Sequence, residues 1–247
     1  MTADPIIQIR QILAACTPAQ QNEIIKLLRI EYRSHRIEQQ WNTSAEIVLE
    51  ALARSGELTQ RMFKGILAEA ACKVEIIDKL DGWKDVTPAG MHPYDFAVER
   101  DGLKVTIQTK LQRKEAGKPF MYRVPGKRGR VSAFYVVETQ KSRKGADRVS
   151  GANTRPYRFG EFDLLAVCME PATGDWSQFR FTVGNWLIPR SGDPNLIAVY
   201  QPVSLPTSDD WTDSLPEAIN WWQSNRKKTL SVEEAEPTTD LGKWEAS

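Results

Sequence analysis

The chain has 247 residues, 41 % apolar and 26 % charged: enough for one main domain with a small appendage, and too ordinary a mixture for a wholly disordered chain. No apolar run approaches the ~18 residues of a membrane span, and the start Met1-Thr-Ala-Asp-Pro5 has no basic region followed by an apolar stretch, so no secretory signal is expected. Three scattered cysteines and two histidines argue against a disulfide framework or a paired-ligand zinc site, and fit a reducing cytoplasm. The net charge of +1 hides an asymmetry: residues 101–160 hold 15 Lys and Arg against 4 Asp and Glu, a local +11, whereas residues 207–247 hold 4 against 9, a local −5. So basic a middle in a near-neutral chain implies a face for a polyanion, nucleic acid above all.

Residues 1–57 read as helical. Ile6, Ile9 and Leu13 recur at helical spacing; Thr17-Pro18 opens a second helix running to about His35; Ser44 begins a third, which Gly56 ends. No motif there carries chemistry, and packing, dimerisation or flanking DNA contact is the expected role. Thr59 caps a longer helix over about 60–79, with Phe63, Leu67, Ala70, Val74 and Ile77 as its buried stripe. Strands follow at Trp83–Thr87, 93–100 and 103–112, the last two joined by Asp101-Gly102, a strong two-residue hairpin signal. Residues 113–130 are basic and without periodicity. Val131–Thr139, the continuous apolar run Phe162–Met169, Phe179–Val183 and 195–200 read as further strands. Residues 214–226 form an amphipathic helix, with Trp186, Trp221 and Trp222 expected in the core, and the acidic tail from about Ser231 is expected to be disordered. The division expected is a helical region 1–57, a main domain 58–228 and a tail 229–247.

The hairpin makes one set of polar residues meaningful. Residues symmetric about Asp101-Gly102 pair, so Asp95 falls near Gln108, and Lys110, two residues on, shares the face of Gln108. Burying such groups unpaired is costly, so they are either exposed or used. One carboxylate and one amide oxygen suit a hard cation such as Mg²⁺, and an ammonium beside them suits orienting a water for phosphodiester hydrolysis.

Pro93-Tyr94-Asp95, twelve residues, then Gln108-Thr109-Lys110 resembles the PD-(D/E)XK nuclease superfamily, which includes most type II restriction endonucleases. Asp95 matches the first Asp of the pattern and Lys110 its Lys; Pro93 stands one residue early, and Gln108 stands where a carboxylate is usual, as in Mrr-type nucleases. Glu69 on the preceding helix matches the acidic helix position. The resemblance covers about residues 60–170. It implies an α/β fold with a restriction-endonuclease-like core, a central mixed sheet flanked by helices behind an N-terminal helical region. It also implies Mg²⁺ held by Asp95, Gln108 and Glu69, with Lys110 positioning the attacking water, and a homodimer cutting double-stranded DNA. Glu99, on the strand face of Asp95, is a reserve ligand.

The basic segments supply the DNA contacts in this reading: Arg113, Lys114, Lys118, Arg123, Lys127, Arg128 and Arg130, then Gln140, Lys141, Arg143, Lys144, Arg148, Asn153, Arg155 and Arg158. Phe120 and Tyr122 either stack on a base or pack beneath the loop. A repair or recombination nuclease, a DNA-binding module with a degenerate site, and an RNA-directed protein remain alternatives at this point.

Overall fold

The computed structural model describes residues 4–31, 36–125, 131–141 and 155–230; of the tail expected over 229–247, residues 231–247 lie outside them, whereas Leu230 is buried and donates its N–H to the Trp186 carbonyl at 2.7 Å. The chain divides into two compact units, Met1–Arg61 and Met62–Ser247.

The first unit is helical. It comprises α1 (Pro5–Ala15), α2 (Pro18–Glu31), α3 (Arg36–Trp41), α4 (Ala45–Ala53) and the start of α5 (Glu57–Ala71). Asp4 caps α1 by accepting from the Ile6 N–H at 2.9 Å, Thr17 Oγ1 accepts from the Gln20 N–H ahead of α2, and Ser44 caps α4. No residue of α1 or α4 is buried.

The second unit is built on a five-stranded mixed sheet in the order β1 (Lys84–Asp85), β2 (Phe96–Arg100), β3 (Leu103–Leu111), β8 (Leu164–Cys168), β9 (Phe179–Val183). β3 and β8 run parallel and the other pairs antiparallel. Between β3 and β8 the chain makes a small hairpin of β4 (Lys114–Glu115) and β5 (Lys118–Pro119), then β6 (Met121–Pro125) and β7 (Val131–Glu138). α6 (Glu170–Thr173) precedes β9, and β10 (Pro189–Arg190) pairs with β11 (Asp193–Ile197). β12 (Tyr200–Val203) joins β7 and β6 in a three-stranded sheet, and α7 (Leu215–Gln223) follows. Helical residues Ala68, Cys72, Leu215, Ala218 and Ile219 share one core with the sheet, in the arrangement expected of a central mixed sheet flanked by helices. Trp186 stacks on Trp221 with centroids 5.5 Å apart, so the tryptophans do pack in the core.

Several expectations are corrected. Of the expected stripe Phe63, Leu67, Ala70, Val74 and Ile77, Ile77 is buried and Phe63 half-buried, but Leu67, Ala70 and Val74 are exposed, and Ala68 and Cys72 are buried in their place. The buried face is offset by one position, about 100° of rotation, because small residues let the helix approach the sheet. The α-helix also begins at Glu57, so Thr59 lies inside it, and it ends at Ala71; one π turn over Cys72–Ile76 and a 3₁₀ turn over Ile77–Lys79 carry the chain on. Residues 113–130 are not irregular throughout, since Ala116 and Gly117 both take positive φ, the two-residue turn that closes β4 on β5. The strand expected over Trp83–Thr87 shrinks to β1, and the one expected over 195–200 becomes β11 and β12.

Leu165 lies fully buried in β8, with a strand on each side. Leu165→Ala is expected to destabilise the protein by about 2–5 kcal/mol in urea denaturation. A loss under about 1 kcal/mol would contradict a packed core at that strand.

Candidate active site

Asp101 (φ 53°) and Gly102 (φ 78°) form the turn between β2 and β3, with Arg100 opposite Leu103 and Phe96 opposite Ile107. The next pair outward is Asp95 and Gln108. The Asp95 N–H donates to the Ile107 carbonyl at 3.0 Å, extending the ladder past β2. Asp95 Oδ2 accepts from Gln108 Nε2 at 2.5 Å and from the Thr109 N–H at 2.7 Å. Gln108 Nε2 also donates to the Thr109 carbonyl at 3.0 Å, so both its hydrogens are used. Gln108 Oε1 accepts no bond from the described residues.

Lys110 follows on the same face of β3. Its Nζ donates to the Tyr157 hydroxyl at 3.3 Å and lies 5.2 Å from the centre of that ring. Glu69 comes from the last turn of α5, just before the π turn. Glu69, Asp95, Gln108 and Lys110 line one cleft of about 920 Å³, together with Tyr94, Lys141, Tyr157 and Glu161. Glu99 is not among the lining residues; it pairs with Lys104 beside the turn.

The charges in the cleft are mutually tuned. Burial, reinforced by the negative charge of Asp95 and opposed by Lys110, pushes the Glu69 carboxyl up to about 7. Burial also raises Asp95, against the pull of Lys110 and the Thr109 N–H. Burial lowers Lys110, while Asp95, Glu69 and Glu138 hold it up. Burial thus raises two of the carboxyls in the cleft, Glu69 and Asp95, and lowers one of its lysines, Lys110. Thiol chemistry is not served here: burial pushes Cys72 up to about 12 and Cys168 to about 11, so neither is a ready thiolate.

Sequence reasoning missed Tyr157, Lys141 as a cleft residue, and Glu161. Tyr157 is buried, edge-on to Phe162 at 5.3 Å, and supplies the one hydrogen bond that the Lys110 ammonium makes among the described residues. Lys141 Nζ lies 5.1 Å from the same ring and pairs with Glu161 at 2.7 Å. The Lys141 N–H donates to the Arg155 carbonyl at 2.9 Å, so the basic stretch starts and ends beside the cleft.

Other expected DNA contacts fare differently. Arg113 is engaged within the protein, donating to the Tyr200 hydroxyl at 2.5 Å and lying over the Phe120 ring; Phe120 thus serves packing. Tyr122 likewise contacts Phe134. Lys114 pairs with Glu170 at 3.4 Å; Lys118 and Arg158 are exposed; Gln140 forms a bridge with Pro156; Arg155 Nε donates to the Lys141 carbonyl at 3.3 Å. Lys127, Arg128, Arg130, Arg143, Lys144, Arg148 and Asn153 lie outside the described residues, as does the side chain of Arg123.

No family model and no curated protein matches this chain. Among solved structures the bacterial homing endonuclease I-Ssp6803I is similar, with 20 % identity and a TM-score of 0.36 over 60 % of this chain and 79 % of that one. What the cleft can do is therefore read from its own atoms.

Between the ordinary carboxyl value of 4.5 and about 7, the folded chain keeps the Glu69 proton that the unfolded chain releases. The stability contributed by protonated Glu69 is therefore lost as pH rises through that window. Urea denaturation in chelator is expected to show this fall in wild type and a flatter profile in Glu69→Gln. Identical profiles would contradict the environment described for Glu69.

Proposed function

We propose that the cleft is the active site of a Mg²⁺-dependent endonuclease of the PD-(D/E)XK kind, a restriction-type enzyme cutting double-stranded DNA as a homodimer. The observation that carries this reading is the meeting of Asp95, Gln108, Lys110 and Glu69 in one cleft, from a hairpin and a helix far apart in sequence.

The donor set suits a hard cation. Among the described residues no three His, Cys, Asp or Glu side chains cluster as metal ligands. The third donor would be an amide oxygen: Asp95, Glu69 and Gln108 Oε1 offer oxygen only, and a bound divalent cation would favour the ionised form of two carboxyls that burial raises. Bound there, Mg²⁺ neutralises phosphate charge and makes a coordinated water more acidic.

The chain's own groups do the rest. Lys110, steadied by the Tyr157 hydroxyl, aims its N–H bonds at the attacking water and the phosphate oxygen. Asp95, tied down by Gln108 and Thr109, holds its free oxygen toward the same point. Lys141 meets the neighbouring phosphate from the cleft wall, and the basic stretch that begins and ends there adds sequence-independent affinity. Two clefts in a symmetric pair serve the two antiparallel strands of a duplex. Among the described residues no helix is long and apolar enough to cross a membrane.

A second reading, a DNA-binding module without catalysis, is favoured by one detail: Gln108 turns its NH₂ rather than its oxygen to Asp95. Incubating plasmid and phage DNA with the protein, in Mg²⁺ or in chelator, separates the two. Nuclease action predicts Mg²⁺-dependent fragments and a loss of at least about 10²-fold in rate for Lys110→Ala. Fragments that persist unchanged in that variant would overturn the assignment of Lys110. Tight, salt-sensitive binding without cutting would favour the module.

A further inference from the structure

We infer that the nucleotide beside the reacting phosphate enters the cleft unpaired, with its base laid on an apolar lining built by the loop before β2 and by α5. The inference deepens the nuclease reading and rests on it, since that reading puts a phosphate at Lys110. The cleft is larger than a phosphate and a cation need. Its volume of about 920 Å³ falls within the roughly 300–1,000 Å³ of pockets that enclose a whole small ligand. Asp95, Gln108 and Lys110 account for only part of its lining. Ile66 and Ala70, one helical turn apart on α5, contribute to the rest, together with Pro88, Met91 and Pro93 from the loop. Met91 is 82 % exposed and Ile66 55 %. Apolar side chains scattered singly over a surface need no explanation, but these share one concavity with the candidate catalytic groups.

The loop is built to hold its shape. At its start the Thr87 N–H donates to Asp85 Oδ1 at 3.0 Å, and Thr87 Oγ1 accepts from the Ala97 N–H at 2.9 Å. At its end the Asp95 N–H is tied to the Ile107 carbonyl. Gly90, at φ 110°, makes a bend that L side chains rarely adopt, and His92 Nε2 donates to the Ala89 carbonyl at 3.3 Å. Half-buried Tyr94 backs the exposed His92 ring, with centroids 5.3 Å apart and planes 15° from parallel. Both rings line the cleft. A ring backed on one side and exposed beyond it is a platform on which a base can stack.

A nucleotide matches both parts of the cleft. Its phosphate meets Lys110 and Lys141, while its flat base covers Met91 and the His92 ring. Within a duplex the neighbouring bases cover both faces of each base, so a base reaches this lining only by leaving the stack. Single-stranded or mismatched DNA gives up its base at the least cost and is therefore the favoured substrate at this site.

The test titrates the full-length protein, labelled with ¹³C at its methionine methyls, with two single strands in Ca²⁺ in place of Mg²⁺. One is hexadeoxyadenylate, and the other is an abasic sugar–phosphate oligomer of the same length. Met91→Leu identifies the Met91 signal. Hexadeoxyadenylate is expected to move that methyl upfield through the ring current of a base, and the abasic oligomer to leave it in place. His92→Ala, a change at an exposed side chain, is expected to weaken hexadeoxyadenylate binding about 5- to 100-fold and to leave the abasic oligomer unaffected. Equal binding of the two oligomers with a still Met91 signal overturns the stacked base alone and leaves the nuclease reading standing. An equal loss for both oligomers in His92→Ala also overturns it, because the ring then serves the phosphate or the loop. Binding of neither oligomer overturns this inference and the nuclease reading together.

Discussion

The two-residue turn at Asp101 and Gly102 sets the hairpin side of the cleft, where Asp95, Gln108 and Lys110 stand. With both residues at positive φ, the turn matches the twist of its strands and fixes their register without a bulge. Asp95 therefore stands against Gln108 and Thr109, and three hydrogen bonds seal the strand end at that point. A slip of one residue would send Gln108 and Lys110 to the opposite face and leave the Asp95 carboxylate buried without partners.

Burial shifts the ionisation of three groups at the heart of the cleft, Glu69, Asp95 and Lys110. Glu69 arrives from a helix whose final α turn gives way to a π turn, a departure from regular geometry at the site's edge. Burial raises both its carboxyl and that of Asp95, the charge of Asp95 adds to the rise at Glu69, and Lys110 opposes both. The lining also carries Glu161, Lys73 and Lys141, so three carboxyls share the cleft with three ammoniums. Tyr157 and Lys141 add a second layer, a buried ring that steadies one ammonium and lies beside another.

The hairpin was legible in the sequence because its signal is local: an Asp-Gly turn between alternating strands specifies which residues face each other. Asp95, Gln108 and Lys110 followed from that register alone, and Glu69 from the resemblance. Tyr157 and Glu161 were not legible, because they reach the cleft from a segment some fifty residues downstream, after a crossover that no local periodicity encodes. Helical spacing located α5 but misjudged its buried face, since small residues such as Ala68 and Cys72 count little in an apolar pattern yet decide how closely a helix lies on a sheet. Arg113 read as a free cation because charge counting cannot see the Tyr200 hydroxyl and two aromatic rings that hold it.

The central claim is that Asp95 and Gln108 together face a divalent cation. Titrating ¹⁵N-labelled protein with Mn²⁺ and following the Gln108 side-chain amide by NMR tests it without reference to activity. The account predicts that this amide signal broadens at the lowest Mn²⁺ additions, that excess Mg²⁺ restores it, and that Asp95→Ala abolishes the effect. A Gln108 signal that stays sharp while others broaden would contradict it.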